Sequence, residues 1–224
     1  MIRLFETMLD SLRRGHDAAL CTILASSGSS PRGAGSRMVV LETGETMGMR
    51  HLFLTGEVQV GKSTLIRRLL AAHPGWRLGG FQTVTRWAGR QGSVYLIPAR
   101  AGMEACTADA CVGLRDLDLM RPVSRPEVFD RIGPGLLSAE RADLLIMDEL
   151  GTMEQQAKAF CGAVLRALDG DLPVLGVIKP RSSALLDAVR AHPRVQVLTV
   201  TCENREELFK TLEDWAAEKT ALEI

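Results

Sequence analysis

The spacing of hydrophobic positions changes character at about residue 49. Before that point Ile2, Phe5, Met8, Leu9 and Leu12 fall on one helical face, an apolar run covers 18–25, and RMVVL at 37–41 has the look of a strand. A turn cluster, GSSPRGAG at 28–35, separates the run from the strand, and Thr43-Gly44 marks another turn. The pattern predicts one helix and two or three short strands. That is a small, partial α+β segment over residues 1–48, with too little apolar area for a convincing core of its own.

From Met49 onward apolar strands alternate with amphipathic helices. HLFLT at 51–55 reads as a strand, and Ser63 to His73 as a helix stopped by Pro74-Gly75. Residues 79–86 and 92–98 predict a hairpin turning around Ala88-Gly89-Arg90-Gln91-Gly92, followed by a less regular stretch to about residue 123. Ser124-Arg125-Pro126-Glu127 has the form of a capping box with proline in the first helical turn. DLLIM at 143–147 is a buried-type strand. Thr152 with Gln155 predicts a second capped helix, with Met153, Ala157, Phe160, Val164 and Leu168 on one face. A strand at 173–178, a helix at 182–191, a strand at 195–200 and a helix from about Asn204 carrying Leu208, Leu212 and Trp215 complete the chain. Residues 49–224 therefore form an α/β unit, a three-layer sandwich of a mostly parallel sheet with helices on both faces.

Composition narrows the function classes. Lys+Arg and Asp+Glu are each 27, so there is no basic excess for a broad nucleic-acid footprint, and at 4% aromatic the chain is poor in base-stacking side chains. The N-terminus lacks the apolar core of a signal peptide, and no apolar run reaches about 18 residues, so a cytoplasmic protein without membrane spans is expected. Cys21, Cys106, Cys111, Cys161 and Cys202 are scattered, as free thiols in a reducing compartment would be. Cys106 and Cys111 lack the second pair of ligands that a closed zinc site needs.

The chemistry is carried by GEVQVGKS, Gly56 to Ser63, which satisfies G-x-x-x-x-G-K-[ST] between a strand and a helix. The glycines let the backbone of Gly56, Glu57, Val58, Gln59, Val60 and Gly61 wrap a phosphate chain, with Lys62, Ser63 and Thr64 following at the helix start. Lys62 would reach the β- and γ-phosphates and the Ser63 hydroxyl a Mg²⁺ ion. LLIMDELG at 144–151 delivers Asp148 at the end of what is expected to be the neighbouring strand, placed to hold the magnesium through its water shell. Glu149 follows as a candidate general base for an attacking water. Glu154 reads equally as part of that acidic cluster or as a first-turn glutamate facing a helix dipole. Arg86, Arg90, Arg121, Arg125, Arg131 and Arg205 lie near strand ends or loops and are candidates to neutralise charge on the transferred phosphate, or plain surface arginines; spacing does not choose among them. Asn204 reads first as a helix N-cap, with recognition of the base as the alternative. The four histidines are isolated from one another and read as surface or packing residues.

On HLFLTGEVQVGKST, GGFQTVTR at 79–86, DLLIMDELGTME at 143–154 and VTCENREEL at 200–208, the segment 49–224 resembles the small P-loop nucleoside-triphosphatase family of thermophiles, to which the cancer-related nucleoside-triphosphatase is related. The resemblance implies Mg²⁺-dependent hydrolysis of ATP, GTP and other nucleoside triphosphates with loose base choice. It implies that Gly80, Phe81, Thr83 and Arg86 lie near the nucleotide, that Asp148, Glu149, Gly151 and Glu154 line the magnesium side, and that Asn204 and Arg205 form a late loop at the site. Residues 18–48, through GSSPR at 28–32 and Gly35-x-x-Met38, are similar to the start of the xanthine dehydrogenase accessory (XdhC/CoxI-type) family, which implies a partner in molybdenum-enzyme maturation.

Three readings follow. The chain is a nucleoside-triphosphatase; or it is a nucleotide or small-molecule kinase on the same site, with the 87–123 stretch and its Arg90, Arg100 and Arg115 as a lid; or it is a slow nucleotide-binding adaptor in molybdenum-cofactor maturation. No Asn-Lys-x-Asp segment for reading guanine is present.

Overall fold

A computed structural model describes residues 2–22, 37–41, 46–47, 50–118, 122–138 and 141–220. The N-terminal segment holds helix α1 (Ile2–Arg13) and strands β1 (Ala18–Thr22), β2 (Arg37–Leu41) and β3 (Thr46–Met47), paired antiparallel in the order β1-β2-β3. The turn cluster at 28–35 and Met49 lie outside the described residues.

The rest is organised on an eight-stranded sheet of order β11-β4-β10-β9-β5-β6-β7-β8. β4 (His51–Thr55), β5 (Leu78–Ala88), β9 (Leu144–Leu150), β10 (Val174–Ile178) and β11 (Val195–Thr199) run parallel. β6 (Gln91–Pro98), β7 (Cys111–Asp116) and β8 (Val123–Ser124) extend the sheet antiparallel beyond β5. Helices α2 (Lys62–Ala72), α3 (Pro126–Leu137), α4 (Lys158–Asp169), α5 (Ala184–Ala191) and α6 (Arg205–Thr220) cover both faces.

Period-2 alternation feeds two cores, one on each face of the sheet. Leu52, Leu54, Ile146, Leu175 and Val177 point toward α2 and α6, where Leu69, Leu212 and Trp215 meet them. Phe53, Phe81, Leu145 and Met147 point the other way, onto Phe129 of α3, Phe160 and Val164 of α4 and Leu186 of α5. Phe160 is the hinge of the second core, with ring centroids 5.4 Å from both Phe81 and Phe129. Each such buried aromatic or leucine contributes roughly 1.5–3 kcal/mol. The expected three-layer α/β sandwich is the observed one.

Some local expectations are corrected. The two predicted capping boxes do not form. Arg125 precedes Pro126 at the start of α3 without a side-chain cap, and the Ser124 hydroxyl donates to the Met153 carbonyl instead. α4 starts only at Lys158, so Thr152 to Gln156 form a bent loop and Glu154 is not in a helical first turn. The irregular stretch before residue 123 contains a strand, β7, that hydropathy misses because Gly113 interrupts it. A Cβ there would lie 2.3 Å from the Val123 carbonyl oxygen, so glycine is what lets β8 pair. β9 also runs further than predicted, carrying Asp148 and Glu149 inside the strand.

Candidate active site

β4 ends at Thr55 and the chain turns sharply at Gly56, whose φ is 134°. A Cβ at Gly56 would lie 2.5 Å from the Val200 carbonyl oxygen, so only glycine lets the loop leave across the end of β11. Gln59 adopts φ 65°, a left-handed conformation uncommon outside glycine, and Gly61 follows at φ 100°. These turns curl the loop back on itself before α2. No side chain caps α2 at Gly61, so its first backbone N–H groups and positive dipole end are left for an anion. The Lys62 ammonium, only 9% exposed, donates to the carbonyls of Gly56 at 2.8 Å and Glu57 at 2.6 Å, folded over the loop it serves. Val58 projects outward, 84% exposed, while Val60 packs beneath against the α2 and α6 side of the core.

Ser63 Oγ donates to Asp148 Oδ1 at 3.4 Å. The strand carrying Asp148 is not the neighbour of β4, as expected, because β10 lies between them. The reach across β10 places the carboxylate opposite the start of α2. Burial, and then the charge of Glu149, push the Asp148 carboxyl up to about 6, against the pull of the Ser63 hydroxyl, Arg67 and Lys62. A hydroxyl and a carboxylate so placed suit magnesium, which takes few protein oxygens and leaves its other positions to water and phosphate. The strained charge on Asp148 is what a divalent ion would relieve. Among the described residues no group of three or more His, Cys, Asp or Glu gathers into a separate metal site.

Glu149 pairs with Lys179, its Oε1 2.9 Å from Nζ, at the end of β10. Glu154, 4% exposed, accepts from the Gly151 N–H, and burial raises its carboxyl above the usual range. A cleft of about 440 Å³ is bounded on one side by Gly56, Gly61, Lys62, Ser63 and Thr64, and on the other by Arg115, Glu149, Lys179 and Pro180. Behind it a polar recess of about 20 Å³ shares Arg115, Glu149 and Lys179 and adds Thr83, Gly151 and Glu154.

The remaining candidates divide. Arg205 lies over the loop, with its Cδ 3.1 Å from where a Gly61 Cβ would be. Asn204 opens α6 through its backbone carbonyl, but its side chain does not cap the helix. The amide accepts from the Thr201 N–H at 2.8 Å and donates to the Thr199 carbonyl at 2.9 Å, tying down the β11–α6 loop. Arg86 is exposed on the outer part of β5, on the opposite pleat from Thr83, and lines neither cavity. Of the arginines grouped as a lid, Arg90 pairs with Asp118, Arg100 reaches the Pro74 carbonyl and Arg115 enters the cleft. Sequence reasoning missed Lys179 outright. Its signal was present: it is the first charge after the buried run PVLGVI, at a strand's carboxyl end.

Residues 51–212 match the family model described as NTPase, and residues 11–49 match that described as XdhC and CoxI family. The chain is similar to the nucleoside-triphosphatase THEP1 of Methanosarcina barkeri, 33% identical over 71% of this chain and 93% of the relative. It is also similar to the cancer-related nucleoside-triphosphatase homolog of Bos taurus, 30% identical over 71% of this chain and 93% of the relative. Among solved structures it resembles the solution structure of a human cancer-related nucleoside triphosphatase, with TM-score 0.57 and 25% identity over 74% of this chain and 96% of that one. The crystal structure of THEP1 from Aquifex aeolicus shares the fold, with TM-score 0.56 and 22% identity over 72% of this chain and 96% of that one. From the match over residues 51–212 and the extent of these relatives, the chain belongs to the NTPase family.

Proposed function

We propose that this protein hydrolyses nucleoside triphosphates to the diphosphate and phosphate in a magnesium-dependent reaction, with loose base choice that accepts ATP and GTP. The observation that carries the reading is the single cleft shared by the Lys62 loop, Ser63 and the Glu149–Lys179 pair, with Asp148 hydrogen-bonded to Ser63 at 3.4 Å. The loop amides and Lys62 bind the β- and γ-phosphates, Lys62 exchanging its loop carbonyls for phosphate oxygens. Ser63 and Asp148 would hold a magnesium ion, which would supply positive charge to the phosphate oxygens. Glu149 orients a water and takes its proton as the water oxygen bonds to the γ-phosphorus and the bond to the β-bridging oxygen breaks. The electron pair leaves with the diphosphate.

Water is favoured over an organic acceptor by the recess beside Glu149. Its volume of about 20 Å³ compares with the about 10–15 Å³ that one water requires. Loose base choice is supported by Asn204, whose amide is engaged at both ends by backbone, and by the lack of an Asn-Lys-x-Asp segment. The match over residues 11–49 supports a separate N-terminal unit, residues 1–48, directing the 49–224 domain to a partner in molybdenum-enzyme maturation in the cytoplasm. Among the described residues no helix is long and apolar enough to cross a membrane.

The test is phosphate release by purified protein with Mg²⁺ and each triphosphate, with and without candidate acceptors. Release without an acceptor, abolished by Lys62→Ala and by Glu149→Gln, is expected. Glu149→Gln should still bind nucleotide. Release only when an acceptor is consumed would establish a kinase, and tight binding with negligible turnover an adaptor.

A further inference from the structure

Three cationic side chains line the cleft, and they differ in what already holds them. Lys62 is bonded to the carbonyls of its own loop, and Lys179 to Glu149. The guanidinium of Arg115, half-buried on β7, has no hydrogen-bond or ion-pair partner among the described residues. Arg68, Arg77, Arg90 and Arg194, by contrast, are paired with Glu206, Asp143, Asp118 and Asp171. With no counter-charge bonded to it, the guanidinium keeps its donors available to an anion that enters the cleft. Its planar fork of donors suits phosphate oxygens.

The backbone beneath Arg115 is held in place. Its cross-strand partner is Gly92 on β6, which in turn opposes Trp87 on β5. Just beyond it, the Leu117 N–H donates to the Arg90 carbonyl and the Arg90 side chain grips Asp118. Arg115 thus stands on a fixed ribbon, facing the loop from across the cleft, and borders the recess beside Glu149 as well. A triphosphate bound along the Lys62 loop would present its γ-phosphate to this side of the cleft.

We propose that Arg115 is the residue that contacts the γ-phosphoryl group and stabilises the negative charge on its equatorial oxygens during transfer to water, a charge-stabilising arginine supplied by this chain's own antiparallel sheet extension. The inference rests on the hydrolase reading. It adds that the β6–β7 ribbon belongs to the active site and that no second protein is needed to supply such a cation. Arg115 makes its contact most strongly in the transition state, so its loss should lower kcat far more than it weakens diphosphate binding.

The experiment compares wild type, Arg115→Ala, Arg115→Gln and Arg115→Lys in steady-state hydrolysis of ATP, in ADP affinity by calorimetry, and in trapping of Mg-ADP with aluminium fluoride, a planar mimic of the transferring phosphoryl. Loss of about 10³-fold in kcat is expected for Arg115→Ala and Arg115→Gln. ADP affinity should stay within about twofold and aluminium-fluoride trapping should be lost, with partial recovery of both turnover and trapping in Arg115→Lys. Arg115→Gln keeps part of the aliphatic stem, so it carries the test if the alanine variant misfolds. A wild-type kcat with intact trapping in either variant overturns the assignment. If wild type hydrolyses ATP and Lys62→Ala does not, such a result removes Arg115 alone and leaves the hydrolase reading standing. A wild type that neither binds nor hydrolyses triphosphate overturns both.

Discussion

Lys179 and Glu149 meet across the ends of adjacent strands, with Nζ 2.9 Å from Oε1. The backbone reinforces the pairing, since the Lys179 N–H donates to the Leu150 carbonyl at 3.0 Å. Both side chains are only about a third exposed, at 29% and 31%, so the contact sits at the cleft wall rather than in free solvent. On the proposed hydrolase reading, the pair would hold the Glu149 carboxylate in one orientation toward the recess that both residues line.

Removing that hold should be felt in the rate. Lys179→Met is expected to reduce kcat by about 10²-fold while leaving ADP affinity near wild type, because a base displaced by about 1 Å loses its alignment with water. Lys179→Arg, which can still reach Glu149, should recover part of the loss. A Lys179→Met enzyme with full kcat would mean that Glu149 needs no such partner.

Asp148 illustrates a site that works against stability. Burial raises its carboxyl from the ordinary 3.8 to about 6, so the folded state favours the protonated form. The stability linked to this group is fully present below about pH 3.8 and lost as pH rises through about 6. Asp148→Asn should therefore melt at a higher temperature than wild type at pH 8 without magnesium, and lose magnesium-dependent turnover. The gain should shrink at pH 4.5. Equal melting temperatures at pH 8 would show that the carboxylate is not strained.

His51 makes the opposite contribution. It is fully buried; its Nε2 is 2.9 Å from the Leu168 carbonyl oxygen and its Nδ1 accepts from the Val174 N–H at 3.2 Å. Those partners require the neutral ring with its proton on Nε2. Burial, with repulsion from Arg194, His192 and Arg50, pushes its pKa down to about 3 from 6.5. The stability this represents is present above about pH 6.5 and lost as pH falls toward about 3, at a rate of about 1.4 kcal/mol per pH unit. Urea titrations from pH 7 to pH 4 should show that slope, and His51→Asn should flatten it. An unchanged slope in the variant would place the acid sensitivity elsewhere.

Gly80 sets how closely β5 approaches β9. It adopts φ 89°, and a Cβ there would lie 2.0 Å from the Ile146 carbonyl oxygen. Backbone, unlike a flexible side chain, cannot move aside without breaking the register that sets Gln82 opposite Asp148. Gly80→Ala should destabilise the fold by about 4 kcal/mol or more in urea unfolding. A loss below about 1 kcal/mol would show that the sheet can yield at this point.

The parts of this protein legible from sequence are those whose physics is local. The loop Gly56 to Ser63 is one contiguous turn between a strand and a helix, so its glycines and lysine are readable as a unit. Alternating apolar strands and helices announced the parallel sheet, and DLLIM announced the strand bearing Asp148 and Glu149. What only the tertiary structure decided are relations set by sheet order and register: that β10 intervenes between β4 and β9, that its terminal Lys179 meets Glu149, and that β7 turns Arg115 into the cleft while Arg86 points away. Asn204 follows the same rule, since capping and loop-tying use the same amide and only the position of Thr199 and Thr201 decides between them. A contact between residues far apart in the chain depends on how strands are ordered, and side-chain type alone does not encode that order.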